Sequence, residues 1–398
     1  MTNSNLKKAK AAKNDEFYTQ YADIQNEINA YISFNPNVFR DKTILLPCDD
    51  PEWSNFTKFF INNFESYGIK KLISTSYAPN SKNFKTPYQP SLFESIDPRF
   101  NEQKTVSNGK IFTLSKNNNK NGKIDEKDLK WDYLNGDGDF RSEEVRKLRD
   151  EADIIITNPP FSIFLEFLNW VMEADKKFII IGNKSTLGSK DVFPLVMENK
   201  IWSGRTDWSG GMWFETKNSK DVDKVVNGIN MKNVASVWLT NIEHGKRHSA
   251  LPLMTEERNI KYSSHPEIKN IGYQHYDNYD AIEIPFTDAI PSDFKGIMGL
   301  PITFLEKYSP EQFELLGSTQ RGCHYSIKDT RKYDDYIEYD KKTGKPTGAS
   351  GKKTNENANL LVTMETKNPK KNYFVNSEGR VVQSLFTRVF IRNRNPQE

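Results

Sequence analysis

In the first half of the chain, short runs of apolar residues alternate with longer stretches of helical periodicity. The strand-like runs cover residues 42–47, 70–76, 153–157 and 177–182, and the helix-like stretches cover residues 55–67 and 161–174. Strands that are separated by helices usually pair in parallel, with the helices packed on the faces of the sheet. The pattern therefore predicts an α/β fold with a doubly wound, mainly parallel sheet.

A sheet of this kind places its ligands beyond the carboxyl ends of the strands. The segments that follow Pro47, Ser76 and Thr157 begin at those ends. We therefore expect the three segments to converge on one site.

Composition and cysteine usage limit the class of protein. The chain has 398 residues, 36% hydrophobic and 27% charged, which suits one large or two medium globular domains. Its two cysteines, Cys48 and Cys323, are far apart, which argues against a disulfide framework or a cysteine zinc site. Residues 1–14 are polar and basic, and no run approaches the ~18 apolar residues of a membrane span. We predict a cytoplasmic protein without a membrane partner.

Charge is distributed unevenly along the chain. The formal net charge is only +3, but the residues from Ser318 to Glu398 contain 16 Lys and Arg against 9 Asp and Glu. A basic C-terminal portion favours a polyanionic partner, whereas a solvated lysine-rich surface is the alternative explanation.

The pattern changes twice along the chain. Residues 78–130 are rich in Asn, Lys, Ser and Pro and are interpreted as a polar surface insertion, and a different, Tyr- and Lys-rich character begins after His244. We therefore predict a first domain at residues 1–245 and a second, substrate-reading region at residues 246–398. Further elements are predicted as strands at 211–214 and 234–240 that finish the sheet, a helix at 302–307, and an alternating apolar and polar stretch at 381–394.

The segment Asn158-Pro159-Pro160-Phe161 joins a predicted strand to a predicted helix. Methyl transfer to an amine that is conjugated with a π-system is helped by acceptors that hold both N–H groups and favour a tetrahedral nitrogen. The Asn158 side-chain oxygen and the Pro159 carbonyl can be those acceptors, because the two prolines restrict the backbone. Phe161 offers a flat surface for a planar substrate. An ordinary strand-ending turn is the alternative interpretation.

Three other segments resemble motifs of S-adenosylmethionine-dependent enzymes. Residues 48–56 resemble the Asp-Pro-x-x-Gly-x-Gly loop of amino-methyltransferases, with Asp50 and Pro51 matching and with Ser54 and Phe56 in place of the glycines. This difference changes how the backbone approaches the cofactor, and the Ser54 hydroxyl is a substitute contact.

The other two segments flank this loop in the sequence. Residues 135–140 resemble the motif in which an acidic residue, here Asp139, accepts the cofactor's adenine amine beside an aromatic residue, here Phe140; a glycine-aspartate turn or a calcium loop is the alternative. Residues 15–20 resemble a Phe-Tyr-Thr-Pro element that meets the methionine part of the cofactor through the region of Tyr18 and Thr19. Gln20 replaces the proline.

Together with Gly299 to Phe304, these motifs make the chain similar to the EcoRI-type adenine-specific DNA methyltransferase family, from about Asn14 onward. The resemblance implies a Rossmann-like methyltransferase fold at residues 1–245 and an additional C-terminal target-recognition region at residues 246–398. It also implies methylation of a flipped adenine in duplex DNA, with S-adenosylmethionine converted to S-adenosylhomocysteine and without a metal ion. The implied context is restriction-modification or phage modification, in which a cognate restriction endonuclease acts on the same sequence without direct contact.

One departure concerns the cofactor ribose. Related folds place a carboxylate at the end of the second strand, where this chain has Ser74-Thr75-Ser76. Ser76 and Asp49 are the candidate substitutes. Three alternative functions stay open: an RNA-adenine methyltransferase, a protein-glutamine methyltransferase and a catalytically silent DNA-binding module. A nuclease is disfavoured, because no carboxylate-lysine cluster suited to two metal ions is found.

Overall fold

The computed structural model describes residues 18–49, 54–78, 100–116, 130–216 and 222–396. By its internal contacts the chain divides into two units. Unit 1 contains Met1–Lys184 and Ser203–Gly245, and unit 2 contains Ser185–Trp202 and Lys246–Glu398. The chain therefore leaves the first unit at Lys184 and returns to it before the second unit is completed.

Unit 1 is built from five helices and two sheets within the described residues. The helices are α1 (Tyr21–Phe34), α2 (Asn55–Asn62), α3 (Glu102–Ser107), α4 (Glu143–Glu151) and α5 (Phe164–Glu173). The strands are β1 (Tyr18–Thr19), β2 (Thr43–Leu46), β3 (Lys71–Thr75), β4 (Lys110–Ser115), β5 (Lys130–Tyr133), β6 (Ile154–Thr157), β7 (Lys177–Asn183), β8 (Trp202–Ser203, at the boundary with unit 2), β9 (Met212–Glu215), β10 (Lys224–Val226), β11 (Ile229–Val234) and β12 (Ser236–Thr240).

The main sheet has eight strands in the order β5-β4-β3-β2-β6-β7-β12-β8. Strand β2 pairs in parallel with β3 and β6, and β6 pairs in parallel with β7. Strands β4, β5 and β12 are antiparallel to their neighbours. The fold is thus α/β with a mixed sheet, whose parallel part is limited to the four central strands.

The central strands are buried on both faces, which explains their continuous apolar sequences. On one face, Ile44 and Ile156 belong to the same core as Ile28 of α1 and Phe59 of α2. On the other face, a side chain at Gly182 would collide with the Phe164 ring of α5 at 2.8 Å. Helices therefore cover both faces of the sheet.

Strand β4 lies inside the stretch that the sequence marks as a polar insertion. Its residues are alternately buried, and it pairs with β3 on one side and β5 on the other. Helix α3 precedes it, with the Asn101 side chain accepting a hydrogen bond from the Lys104 N–H. The interpretation of residues 78–130 as a surface excursion is therefore wrong for residues 110–115, which extend the main sheet.

A smaller sheet of unit 1 has the order β1-β9-β11-β10. Thr19 of β1 lies opposite Phe214 of β9, and a two-residue turn at Asn227 and Gly228, both with positive φ, connects β10 to β11. The predicted strand at 211–214 thus belongs to this second sheet, because it pairs with β1 and β11. The predicted strand at 234–240 does join the main sheet, as β12 beside β7.

Unit 2 is mostly β-structure. Its elements are α6 (Phe193–Met197), α7 (Glu256–Tyr262), β13 (Ile282–Glu283), β14 (Met298–Pro301), β15 (Phe313–Ser318), β16 (Ile337–Tyr339), β17 (Pro346–Ser350), β18 (Asn359–Val362), β19 (Tyr373–Val375), β20 (Val381–Ser384) and β21 (Arg388–Asn393). They form a four-stranded sheet, β13-β14-β21-β15, and a five-stranded sheet, β17-β16-β19-β20-β18. The predicted helix at 302–307 is a 3-10 helix, Ile302–Glu306.

Buried ion pairs hold the sheets of unit 2. The Arg388 guanidinium of β21 donates two hydrogen bonds to the Glu283 carboxylate, at 2.9 and 2.7 Å, and both side chains are buried. The buried Asp277 carboxylate pairs with Arg331 and Arg380 and accepts a hydrogen bond from the Tyr333 hydroxyl. The guanidinium groups of these three arginines are therefore engaged in ion pairs within unit 2.

The described residues contain neither a membrane-spanning helix nor a cluster of metal-ligating side chains. No helix in the described ranges is long and apolar enough to cross a membrane. Within the same ranges, no group of three or more His, Cys, Asp or Glu side chains could hold a metal ion.

Candidate functional site

Side chains at the carboxyl ends of β2, β3 and β6 are linked by hydrogen bonds. The Asp49 carboxylate, which is 6% exposed, accepts hydrogen bonds from the Thr157 hydroxyl at 2.6 Å and the Ser54 hydroxyl at 2.8 Å. The Ser74 hydroxyl of β3 donates to the Asp49 carbonyl at 2.8 Å. The strand ends from which the three segments leave therefore lie together, as predicted, and a buried carboxylate is at their centre.

The link to Thr157 fixes the point at which Asn158-Pro159-Pro160-Phe161 leaves the sheet. Pro159 is buried, whereas Asn158, Pro160 and Phe161 are partly exposed. Phe161 begins a short 3-10 helix that leads into α5, and its ring meets the Phe214 ring edge-on with centroids 6.3 Å apart. This arrangement presents an amide side chain and a partly accessible aromatic ring at the end of β6.

The N-terminal strand β1 reaches the same region from the other sheet. Thr19 pairs with Phe214, and its carbonyl accepts a hydrogen bond from the Asn55 side chain at 2.8 Å, at the start of α2. The Gln20 side chain donates to the Trp213 carbonyl, also at 2.8 Å. Tyr18 and Thr19 are thereby held between the first turn of α2 and the ring on which Phe161 packs.

The Thr19 hydroxyl has an unusual environment. The residue is 4% exposed, yet within the described part of the chain its Oγ1 atom has no hydrogen-bond partner. A buried hydroxyl without a partner costs free energy, so such a group is a candidate for contact with a bound molecule. Thr19 is therefore a residue that could hold a cofactor.

Asp50 lies outside the described residues, but the serine that follows it in the predicted loop is visible. The Ser54 hydroxyl accepts a hydrogen bond from the Phe56 N–H at 3.1 Å and so caps α2 at its N-terminus. The same hydroxyl donates to Asp49. Ser54 thus connects the cap of α2 to the buried carboxylate.

The turn that contains Asp139 is packed closely against the end of β3. A side chain at Gly138, which has a φ of 82°, would come within 2.2 Å of the Ser76 carbonyl oxygen. The Ala78 N–H donates to the Asp137 carbonyl at 2.7 Å. Only glycine satisfies both the positive φ and this close approach, so the turn is fixed beside the strand ends.

Arg141 holds the Asp139 carboxylate. The Arg141 Nε and backbone N–H each donate to Asp139 Oδ1 at 2.8 Å, and the guanidinium also pairs with Glu166 at 3.2 Å. Hydrogen bonds from this guanidinium hold the pKa of Asp139 below its usual value. Asp139 is therefore an ionised acceptor in the physiological pH range.

Two predicted site residues have their side chains engaged elsewhere. The Phe140 ring is buried against Phe167 and Trp170 of α5, with centroid distances of 5.2 and 5.5 Å. The buried Ser76 hydroxyl accepts a hydrogen bond from the Lys110 N–H of β4. Phe140 therefore contributes to the core, and the Ser76 hydroxyl stabilises the pairing of β3 with β4.

Cys48 adjoins Asp49 at the end of β2. Burial raises the pKa of its thiol well above the usual range, and the nearby Asp49 charge acts in the same direction. The thiol is therefore uncharged at neutral pH.

Several residues of the site were missed by sequence reasoning. They are Thr157, Asn55, Arg141 and Phe214, which bind or pack against the predicted residues. Thr157 and Arg141 are adjacent in sequence to predicted residues, and this adjacency is the signal that could have identified them. Phe214 carries no local signal, because its role depends on the pairing of β1 with β9.

Comparisons with known proteins give a consistent result. The model of a family described as adenine-specific methyltransferase EcoRI matches residues 5–394. The chain is 40% identical over 322 residues to the Type II methyltransferase M.EcoRI of Escherichia coli, covering 79% of this chain and 89% of that protein. It is 30% identical over 337 residues to the Type II methyltransferase M.MpnI of Mycoplasma pneumoniae, covering 83% and 90%. No solved structure matches the chain significantly.

Proposed function

Because the chain belongs to the EcoRI-type family of adenine-specific DNA methyltransferases, we propose that it methylates the exocyclic amine of an adenine flipped out of duplex DNA. The observation that supports this assignment is that the Asn158–Phe161 segment is joined to Asp49 through Thr157 and to Thr19 through Phe214, beyond the carboxyl end of β6. A flat ring beside amide and carbonyl acceptors suits a planar amine. In this proposal unit 1 is a Rossmann-like catalytic domain.

Family membership implies S-adenosylmethionine as the methyl donor, and the residues present fit it. The cofactor supplies an electrophilic methyl group when bound and leaves as S-adenosylhomocysteine. Thr19 offers a buried hydroxyl without a described partner, and Asp139 offers an ionised carboxylate with acceptor capacity beyond Arg141. We assign Tyr18, Thr19, Asp50 and Asp139 to cofactor binding. Asp49 and Ser54 are assigned a supporting role, since they bind each other and Ser54 caps α2, whereas the side chains of Ser76 and Phe140 are engaged within unit 1.

The adenine would be held by Asn158, Pro159 and Phe161. The Asn158 side-chain oxygen and the Pro159 carbonyl accept the two N–H hydrogens, so that the nitrogen lone pair is released from the ring. Pro160 keeps the Pro159 carbonyl in position. Stacking on Phe161 helps to offset the few kcal/mol that base flipping costs.

The remaining functional predictions concern DNA selection. We infer that residues 246–398 form a target-recognition region that reads a short duplex sequence. The Type II relatives favour a restriction-modification context, in which a cognate endonuclease acts on the same sequence without touching this protein. An RNA-adenine or protein-glutamine methyltransferase and a catalytically silent DNA-binding module are the rival functions.

The test is transfer of labelled methyl groups from S-adenosylmethionine to unmethylated genomic DNA, RNA and total protein in parallel. We expect label only in DNA, as N6-methyladenine, at one short sequence that methylation-site sequencing identifies. Label confined to RNA or protein would replace the proposed substrate. Cofactor binding without any transfer would support the silent module.

A pH experiment tests the role of Asp139. Because the Arg141 guanidinium lowers the pKa of this carboxylate, Arg141→Ala should let the pKa rise toward its ordinary value. The Asp139 carboxylate becomes protonated as the pH falls through its pKa. The decrease in cofactor affinity on acidification should therefore begin at a higher pH in Arg141→Ala than in wild type. The measurement is the Kd for S-adenosylmethionine between pH ~3 and ~6, the range in which an aspartate of ordinary pKa becomes protonated. The control is Lys147→Ala, which removes an exposed ion pair with Glu143. Coincident pH profiles for wild type and Arg141→Ala would contradict the assignment.

A further inference from the structure

Two turns of unit 2 bring lysines together at one end of the five-stranded sheet. One turn follows β16 and the other precedes β19, and these strands pair with Tyr339 opposite Tyr373. Together the turns carry six lysines, which we call the lysine rim: Lys341, Lys342, Lys345, Lys367, Lys370 and Lys371.

The lysine rim is held in place by defined hydrogen bonds. The Lys341 N–H donates to the Asn372 side chain at 3.1 Å, and its ammonium donates to the Lys370 carbonyl at 2.8 Å, which joins the two turns. The buried Gln383 side chain accepts from the Asn368 N–H at 2.7 Å and donates to the Lys371 carbonyl at 3.0 Å. The lysines therefore project from a preorganised backbone.

The lysine rim has an excess of positive charge, because its two turns carry six lysines and two acids, Asp340 and Glu365. None of its six lysines forms an ion pair with a carboxylate among the described residues, whereas Lys353 pairs with Glu338 nearby. The arginines of the same region are engaged: Arg388 binds Glu283, Arg392 pairs with Glu314, and Arg394 donates to the Pro310 carbonyl. The acid of the first turn, Asp340, accepts backbone N–H groups of its own turn. A cluster with an excess of like charges favours a polyanion.

An exposed aromatic residue adjoins this cluster. Phe386 is 77% exposed, and the Lys371 ammonium lies 4.4 Å from its ring centroid. Its carbonyl accepts a hydrogen bond from the buried Arg388 guanidinium at 3.1 Å, so the backbone beneath the ring is anchored. Burial and the Arg388 charge lower the pKa of Lys371. An anion bound beside Lys371 would raise this pKa again, because it stabilises the charged ammonium.

We propose that the lysine rim and Phe386 form a contact surface for duplex DNA, in which the lysines bind backbone phosphates and Phe386 packs against a sugar or base. The inference rests on the proposed function and deepens it. Ammonium groups are point charges that bind phosphates without reading sequence, whereas bidentate base recognition uses arginine. The surface therefore supplies the sequence-independent part of DNA affinity.

The test uses the full chain and a labelled random-sequence DNA duplex of about 30 base pairs, with binding measured by fluorescence anisotropy at salt concentrations from ~50 to ~200 mM. The variant Lys342→Gln/Lys345→Gln/Lys370→Gln removes three exposed lysines whose ammonium groups make no described contact. Each lysine–phosphate pairing that the variant eliminates should reduce the slope of log K against log salt by about 0.9, for a total of roughly 2 to 3 and a decrease in affinity of about 10- to 100-fold at physiological salt. Phe386→Ala should lower affinity about fivefold or more with the salt slope unchanged.

The matched control is Lys269→Gln/Lys295→Gln/Lys307→Gln, which removes three exposed lysines elsewhere in unit 2. Its salt slope should stay within about half a unit of wild type. Equal losses of affinity in both triple variants would show a general effect of net charge and would overturn the proposal, as would an unchanged slope in the rim variant. S-adenosylmethionine binding by each variant reports the integrity of unit 1. If the wild type itself fails to bind DNA, the proposed function fails instead.

Discussion

Replacement of Asn158 by alanine is expected to reduce methyl transfer to DNA by about 100- to 1000-fold, which is the usual loss when one preorganised polar group at a reacting centre is removed. The variant keeps the strand and helix on either side, because the partly exposed Asn158 follows the buried β6 rather than forming part of it. The effect should therefore fall on the chemical step, and the affinity for S-adenosylmethionine should change little.

The measurement is a single-turnover rate at saturating cofactor and DNA, so that binding defects do not enter. Ser162→Ala is the matched control, since it alters an exposed side chain in the same connection and should transfer at nearly the wild-type rate. A transfer rate of Asn158→Ala within about twofold of wild type would show that Asn158 has no role in the reaction. It would also contradict the proposal that the Asn158 side chain and the Pro159 carbonyl hold the adenine amine.

The second large effect is expected at Asp49, for a different reason. Asp49→Ala leaves the Thr157 and Ser54 hydroxyls without their buried acceptor, and each such loss costs about 1–3 kcal/mol. The free energy of unfolding of unit 1 should therefore fall by about 2–6 kcal/mol. Because the same carboxylate sets the end of β2 against the end of β6, cofactor affinity should fall together with stability.

Asp153 provides a matched control for Asp49. It also connects β2 to β6, but at the opposite ends of these strands, where its carboxylate accepts a hydrogen bond from the Thr43 N–H at 2.7 Å and is partly exposed. Asp153→Ala should cost less stability and leave the Kd for S-adenosylmethionine unchanged. Denaturant unfolding and cofactor titration measure both quantities. Equal effects of the two substitutions on cofactor binding would show that Asp49 acts only through general stability.

The central part of the fold could be predicted because its signals are local. The apolar run at 42–47 became β2, Thr43–Leu46, and the run at 153–157 became β6, Ile154–Thr157. The helix predicted at 55–67 ends earlier, at Asn62. The chain then turns back through Gly68, which has a φ of 66°, and the Ile69 N–H bonds to the Phe64 carbonyl. Apolar periodicity continues through such a turn, so it does not mark the end of the helix.

Elements that depend on distant partners were not predictable. Strand β4 offers three apolar residues, Ile111, Phe112 and Leu114, inside a polar stretch, and its pairing with β3 and β5 is needed to define it. The alternating pattern at 381–394 predicts one continuous segment, yet β20 and β21 belong to different sheets. Two arginines of this stretch, Arg388 and Arg392, pair with Glu283 and Glu314 from other elements.

Within the candidate site, too, some features follow from local sequence motifs and others depend on residues that are distant in the sequence. Motifs predict Asn158, Phe161, Thr19 and Asp49, and the βαβ pattern predicts that Asp49 and the Asn158 segment lie at neighbouring strand ends. The local pattern does not predict the position of Thr19, which depends on the pairing of β1 with β9. The side chains of Ser76 and Phe140 turned inward, a choice that depends on the approach of Gly138 and on the aromatic residues of α5. A motif indicates which residue stands at a strand end, but the packing around it decides which atoms face a ligand.

The pairing of β1 with β9 also has a consequence for how the protein matures. Tyr18 and Thr19 have their strand partners at Phe214 and Glu215, about 200 residues later, so this pairing cannot form before that point of the chain has been synthesised. A ribosome therefore makes more than half of the polypeptide before β1 can join its sheet. With Thr19 in its proposed role, a nascent chain that already carries the Asn158 segment would still lack part of its cofactor site.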